Sequence, residues 1–184
     1  LPYPVALKIL SAEVAHKSDV GGVVLGVKDF QGLQENVLKI GKAMGEPASQ
    51  ILVQRMEHGL AEAIVGYRDE PVVGPLVMVG AGGILAELYN DVVLRLAPVD
   101  EAGALEMIAQ VRGFAVLRGY RGLPPGDLPA LARAVAAMSR LALLDGRPVL
   151  EAEANPVIVK SRGAVAVDAL VALKNDRREK NREG

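Results

Sequence analysis

The sequence has no cysteine, only two histidines, and an aromatic content of 3%. Without cysteine there can be no disulfide, no thiolate metal site and no cysteine nucleophile. His16 and His58 alone are too few for a zinc site of the usual kind. Any metal is therefore expected to be a hard cation on oxygen ligands. Neither sign of charge dominates: 21 basic residues face 22 acidic ones, for a net charge of −1. No electrostatic footprint for nucleic acid or an anionic membrane results. No apolar run approaches the roughly 20 residues needed to span a bilayer, and no signal-like segment precedes LPYPVALKIL. The expectation is a cytoplasmic protein that binds neither nucleic acid nor membrane. What is present, 184 residues at 51% hydrophobic content, suffices for one domain or two small lobes.

Periodicity predicts a mixture of strands and helices. Val5–Leu10 and Val23–Val27 read as short β-branched strands on either side of a polar loop. Asp29 is placed to cap a helix with Leu33, Val37, Ile40 and Met44 on one face, stopped by Gly45 and Pro47. Strands follow at Ile51–Gln54, Glu62–Gly66, Leu76–Val79 and in VVLRLAP. Asp100 caps a second helix carrying Leu105, Ile108 and Val111, and Asp127 a third carrying Leu128, Leu131, Val135, Met138 and Ala142. The end is strand-rich, in VLEAEANPVIV and AVAVDALVAL, with a turn at Ser161–Gly163. Without regular βαβ alternation the expected class is α+β in two lobes. The abrupt start at a strand suggests a domain cut from something longer. KNDRREKNREG, at 174–184, has no apolar residue and is expected to be a solvated tail.

Two stretches have the composition of sites. In KILSAEVAHKSDVGGVVLG, Gly21 and Gly22 would let backbone N–H groups approach an anion, with Lys8 and Lys17 supplying charge. A glycine turn with a solvated basic rim is the competing reading, since neither this loop nor GAGGIL at 80–85 matches a standard phosphate motif. In EAEANP, Glu151, Glu153 and Asn155 alternate with alanines, so a strand would turn all three to one face. Pro156 is expected to break that run. Asp168 follows Asn155 by 13 residues, a return length that suits a hairpin with Asp168 on the neighbouring strand. Oxygen ligands converging from paired strands suit Mg²⁺, although alternating acids also form the wet face of ordinary hairpins.

The ordered series YPVALKILSAEVAHKSDVGGVVLG, ILVQRMEHGLAEAIVG, GPLVMVGAGGILAELYNDVVLRLAP, RGLPPGDL, EAEANPVIV and AVAVDAL, spanning Pro2 to Leu173, resembles the ATP-grasp domain of ADP-forming acyl-CoA (acetate–CoA) synthetases. It is also similar to the related β subunit of succinyl-CoA synthetase. The resemblance implies an ATP-grasp fold with a partial N-terminal lobe at 1–55, whose first part is missing, and a C-terminal lobe at 56–173. It implies ATP/ADP and Mg²⁺ as cofactors and the reaction acid + ATP + CoA ⇌ acyl-CoA + ADP + phosphate. The partner would be a CoA-binding, NDP-forming ligase domain or subunit, in a fusion or a hetero-oligomer.

Carried over by position, the resemblance makes Lys8 the strand lysine that holds nucleotide phosphates, places Gln54 at the adenine and makes Glu62 an acidic nucleotide contact. Gly82 and Gly83 with Arg95 resemble a second glycine loop close to the phosphates, and Lys17, Gly21 and Gly22 join the first. Asn155 and Asp168 match the two Mg²⁺ ligands, with Glu153 beside them. His16 stands where the acyl-CoA synthetases carry a histidine that accepts the phosphoryl group; His58 reads as a surface residue. Glu153 departs from a usual aspartate, and Ala81 from a larger apolar residue. A regulatory ATP-grasp module fused to a protein acetyltransferase is the alternative of a different class, and a carboxylate–amine ligase a third reading that does not need the histidine of HKSDVGG.

Overall fold

The computed structural model describes residues 1–10, 17, 20–43, 50–83 and 90–174. The chain divides into two compact units, Leu1–Glu57 and His58–Gly184. No helix among the described residues is long and apolar enough to cross a membrane.

The first unit is a three-stranded antiparallel sheet with one helix. β1 (Val5–Ile9) runs between β2 (Val23–Val27) and β3 (Ile51–Arg55), in the order β2-β1-β3. α1 (Phe30–Ala43) begins where Asp29 Oδ1 accepts the Gly32 N–H at 2.7 Å, which satisfies one of the donors a helix start leaves open. Its apolar stripe closes a small core of Val5, Leu7, Ile9, Val27 and Ile40. Met44 and the expected stop at Gly45 and Pro47 lie outside the described residues. On the sheet face away from this core, Ala6 pairs with Gln54 and Lys8 with Leu52, so these four side chains share that face.

The second unit is a six-stranded sheet with helices on one face. β4 (Ala61–Glu70), β5 (Gly74–Ala81), β6 (Val92–Leu96), β7 (Val149–Val159) and β8 (Ala164–Ala166) run in the order β6-β5-β4-β7-β8, and β9 (Ala169–Leu173) also pairs with β7. All of these pairs are antiparallel. The helix layer is α2 (Glu101–Gln110), a 3-10 stretch Gly113–Arg118, and α3 (Leu128–Ser139). Their inward side chains meet Ala63, Val65, Val77, Val79, Ala154, Val157 and Val159 in one core. Phe114, Leu117 and Leu131 are wholly buried in it, and burying a side chain of this size contributes about 2 kcal/mol. Asp100 and Asp127 cap their helices as expected, accepting from Gly103 N and Ala130 N. Leu105 departs from expectation. It is 39% exposed, and Ala104, Met107 and Ile108 face the core instead.

Pro156 does not end β7. The register runs Ala61↔Val159 to Ala63↔Val157 and resumes at Val65↔Ala154, so Asn155 and Pro156 together oppose the single residue Ile64. This is a β-bulge, a place where a strand accepts a proline because the ladder is already interrupted. At the other end of β4, Asp69 is 8% exposed and holds Arg147 at 3.1 Å and Lys174 at 2.5 Å. Its two cations lie just before β7 and just after β9.

Candidate functional site

The sheet face of the second unit that carries no helices holds the acidic set. On β7, Ala152 and Ala154 turn into the cores while Glu151, Glu153 and Asn155 turn the other way. Asn155 N–H donates to the Asp168 carbonyl at 3.1 Å, which sets Asp168, between β8 and β9, directly across from Asn155. The Asn155 amide donates Nδ2–H to Glu153 Oε1 at 3.0 Å. That bond fixes the amide so that its carbonyl Oδ1 is the end turned away from Glu153. Asp168 Oδ1 accepts the N–H of Ala169 at 2.9 Å.

Among the described residues no group of three or more His, Cys, Asp and Glu side chains could hold a metal. Glu153, Asn155 and Asp168 offer instead two carboxylates and one amide oxygen. Such an all-oxygen set with few protein ligands fits Mg²⁺, which keeps waters and takes phosphate oxygens.

Glu62 begins the same sheet face four residues before Gly66, the partner of Glu153. It lines a cavity of about 1080 Å³ together with Gly82, Gly83, Asn90, Asp91, Gln110 and Arg112 over Phe114. Gly82 N–H donates to the Glu62 carbonyl at 2.8 Å. A Cβ on Gly82 would come to 3.0 Å from both the carbonyl carbon and Cβ of Glu62, so any larger residue would press the loop against β4. Asp91 builds the opposite wall, accepting N–H groups of Arg112 at 3.1 Å and Gly113 at 2.6 Å. Asn90, Asp91, Gln110 and Arg112 were not singled out from sequence. The signal available was the Asn-Asp pair directly before VVLRL.

Arg95 lies elsewhere. Its guanidinium donates to Glu106 Oε2 at 2.9 Å and to the Gly103 carbonyl at 3.4 Å, tying β6 to α2, and it is not among the cavity's lining residues.

In the first unit, Lys8 is 6% exposed and Gln54 Oε1 is buried without a hydrogen-bond partner. Gly22 closes the base of the first loop: its N–H donates to the Lys17 carbonyl at 2.8 Å, and its carbonyl accepts from Ile9 N at 2.9 Å. A Cβ there would meet Ile9 Cγ2 at 2.7 Å. Gly21 has φ +70° with open space around it. His16, with Ser18 and Asp19, lies outside the described residues, and His58 is exposed.

Tyr67 and Asp127, both away from these residues, have displaced titrations. Burial, and then the charge of Asp69, holds the Tyr67 hydroxyl above its usual range; that hydroxyl has no hydrogen-bond partner. The N–H groups of Gly163 and Ala130 hold Asp127 below the usual carboxylate range.

Residues 1–173 match the family model described as an ATP-grasp domain. The chain belongs to the ATP-grasp domain family. This ATP-grasp domain is 41% identical over 177 residues to acetate–CoA ligase (ADP-forming) I of Archaeoglobus fulgidus, covering 25% of that protein and 93% of its own length. It is 35% identical over 176 residues to the β subunit of acetate–CoA ligase (ADP-forming) I of Pyrococcus furiosus, covering 75% of the subunit and again 93% of its own length. The domain thus spans a quarter of the first relative's length. Among solved structures it superposes with a TM-score of 0.85 and 36% identity on the dinucleotide-forming acetyl-coenzyme A synthetase 1 of Ca. Korarchaeum cryptofilum in complex with coenzyme A and Ca-AMPCP, covering 77% of that protein's matched polypeptide and 94% of its own length. A second complex of that protein, with coenzyme A and Mg-AMPPCP, has a phosphohistidine segment pointing towards the nucleotide-binding site; there the TM-score is 0.79 at 35% identity, with 78% and 94% covered. These relatives give the regulatory acetyltransferase reading no support.

Proposed function

We propose that this ATP-grasp domain is the nucleotide-binding part of an ADP-forming acid–CoA ligase, catalysing acid + ATP + CoA ⇌ acyl-CoA + ADP + phosphate together with a CoA-binding domain or subunit. The observation that carries the reading is the Glu153–Asn155–Asp168 set, an oxygen-only cluster on the helix-free face of the sheet, within a domain similar to such ligases over 93% of its length.

Asn155 and Asp168, with Glu153 beside them, would hold Mg²⁺, which when bound neutralises charge on phosphate oxygens. Lys8 supplies a cation to the phosphates, Gln54 lies at the adenine, and Glu62 with the Gly82–Gly83 turn borders the nucleotide. Gly21, Gly22 and Lys17 support the loop that carries His16. The His16 imidazole attacks the phosphorus of the phosphoryl donor, so an N–P bond forms as the bond to the donor breaks. In the second transfer an oxygen of the ADP β-phosphate takes the phosphoryl group, the N–P bond breaks, and the imidazole is regained. Positioning and charge neutralisation do most of the work in such transfers.

The test is to incubate the complete enzyme with γ-³²P-labelled ATP and map the protein-bound label. An acid-labile, base-stable adduct is expected on a peptide covering residues 8–26, and His16→Ala should abolish it. If that peptide stays unlabelled while turnover proceeds, and His16→Ala is fully active, the phosphohistidine step does not occur on this domain.

A further inference from the structure

The segment joining the 3-10 stretch Gly113–Arg118 to α3 has an unusual backbone. Gly119, Arg121 and Gly122 have φ of +80°, +51° and +80°, so three of four consecutive residues are left-handed. Glycine adopts that conformation freely, but Arg121 carries a Cβ and is held there against its own preference. The loop is braced from within: Gly122 N–H donates to the Gly119 carbonyl at 3.2 Å, and Leu123 N–H to the Tyr120 carbonyl at 3.1 Å. Its feet are fixed as well. Gly126 N–H donates to the carbonyl of the fully buried Leu117 at 2.9 Å, and Asp127 N–H to the Lys160 carbonyl at 2.8 Å. Pro124 and Pro125 restrict φ between them.

This rigid loop turns its largest side chains to solvent. Tyr120 is 53% exposed and Leu123 50%, and the Arg121 guanidinium lies over the Tyr120 ring at 5.3 Å from its centroid. None of these three side chains belongs to the cores described above. A tyrosine and an arginine held in fixed geometry are the kind of residues that dominate protein–protein contacts, the exposed leucine beside them adds apolar area, and rigidity lowers the ordering cost of binding.

We propose that the Gly119–Pro125 loop is the surface on which this domain docks the CoA-binding part of its ligase, through an apolar pocket for Tyr120 and Leu123 and a carboxylate for Arg121. The proposal rests on the functional reading above. The relatives point to the occupant: the matched region takes up 25% of the ligase of A. fulgidus, and in P. furiosus it belongs to a separate β subunit. A domain that meets the remainder covalently in one case and as a subunit in the other needs a preformed contact. The place also fits. A Cβ on Gly126 would lie 3.3 Å from Val159 Cγ1, and the Val159 carbonyl accepts from Leu60 N at 2.7 Å, two residues before Glu62. The loop therefore stands at the end of the sheet that carries Glu62 and the cavity.

The test uses the complete enzyme and two variants, Arg121→Gly and the pair Tyr120→Ser with Leu123→Ser. Amides of residues 119–123 should be protected from hydrogen exchange in the parent and lose that protection in both variants. CoA-dependent turnover should fall about tenfold, with ADP affinity within about twofold of the parent. Arg121→Gly removes the guanidinium but relieves the left-handed strain, so its thermal midpoint should be no lower and misfolding cannot account for the loss. Unchanged turnover and protection in both variants overturn the proposal. Fast exchange of residues 119–123 in the complete parent protein also overturns it, whatever the activity. Absence of CoA-dependent turnover in the parent would overturn the functional reading itself, and this occupant with it, whereas unchanged turnover and protection in the variants of an active parent overturn the docking surface alone.

Discussion

The backbone N–H of Asn155 donates to the carbonyl of Asp168 at 3.1 Å, so two residues 13 positions apart in sequence stand directly opposite each other. Residues paired in this way present their side chains on one face, and Glu153 is tied to Asn155 on that same face.

If this face holds the metal, Asn155→Ala and Asp168→Ala should each weaken Mg-ADP binding at least about tenfold, or about 1.4 kcal/mol. The fold should survive, because the bond linking the two residues is made by backbone. Calorimetric titration with and without a chelator checks this. Parental affinity in both variants, with no response to chelation, would remove the metal from this face.

Lys8 is 6% exposed on β1, and methionine keeps most of its apolar stem while removing the ammonium. Lys8→Met should therefore weaken ADP binding about tenfold with a thermal midpoint close to that of the parent, since a charge serving a ligand is lost without opening a cavity. A folded variant that binds ADP as the parent does would show that this ammonium does not face phosphate.

Asp127 accepts from Gly163 N at 2.7 Å and Ala130 N at 2.9 Å, joining the start of α3 to the β7–β8 turn. These N–H groups favour the carboxylate and depress its pKa in the folded protein. The contribution to stability is thus complete above the ordinary carboxylate range and fades as pH falls through the depressed value. Asp127→Asn should lower the urea midpoint at about pH 7, with the gap to the parent closing as pH falls below the ordinary carboxylate range. A gap of constant size across that range would mean that the ionised form is not what the clamp needs.

Much of this fold can be read from the sequence because local signals and tertiary packing agree. The aspartates at 29, 100 and 127 mark helix starts by their spacing to the apolar stripes, and all three accept the expected N–H groups. The alternation of Glu151, Glu153 and Asn155 with alanine marks the face, and the return length puts Asp168 opposite Asn155, although it falls between β8 and β9 rather than on a strand as expected. Pro156 misleads, because a proline inside a strand is invisible to a pattern search unless the bulge that admits it is known. Leu105 misleads because helical spacing permits either Ala104 or Leu105 inward, and packing against the sheet selects the smaller residue. The cavity wall at Asp91 was unreadable for another reason: its partners, Arg112 and Gly113, are 21 and 22 positions away, and no local rule links them.

The bulge at Asn155 and Pro156 also divides β7 into two reading frames. From Glu151 to Ala154, even-numbered residues are core and odd-numbered ones turn to the helix-free face; beyond the bulge, the odd-numbered Val157 and Val159 are core. The extra residue lets one continuous strand present Asn155 outward and still return Val157 and Val159 inward. Removing a single residue there would leave the composition almost unchanged, yet it would force one half of the strand to show its valines to water or the other half to bury its carboxylates. The segment thus tolerates substitution far better than a change in length.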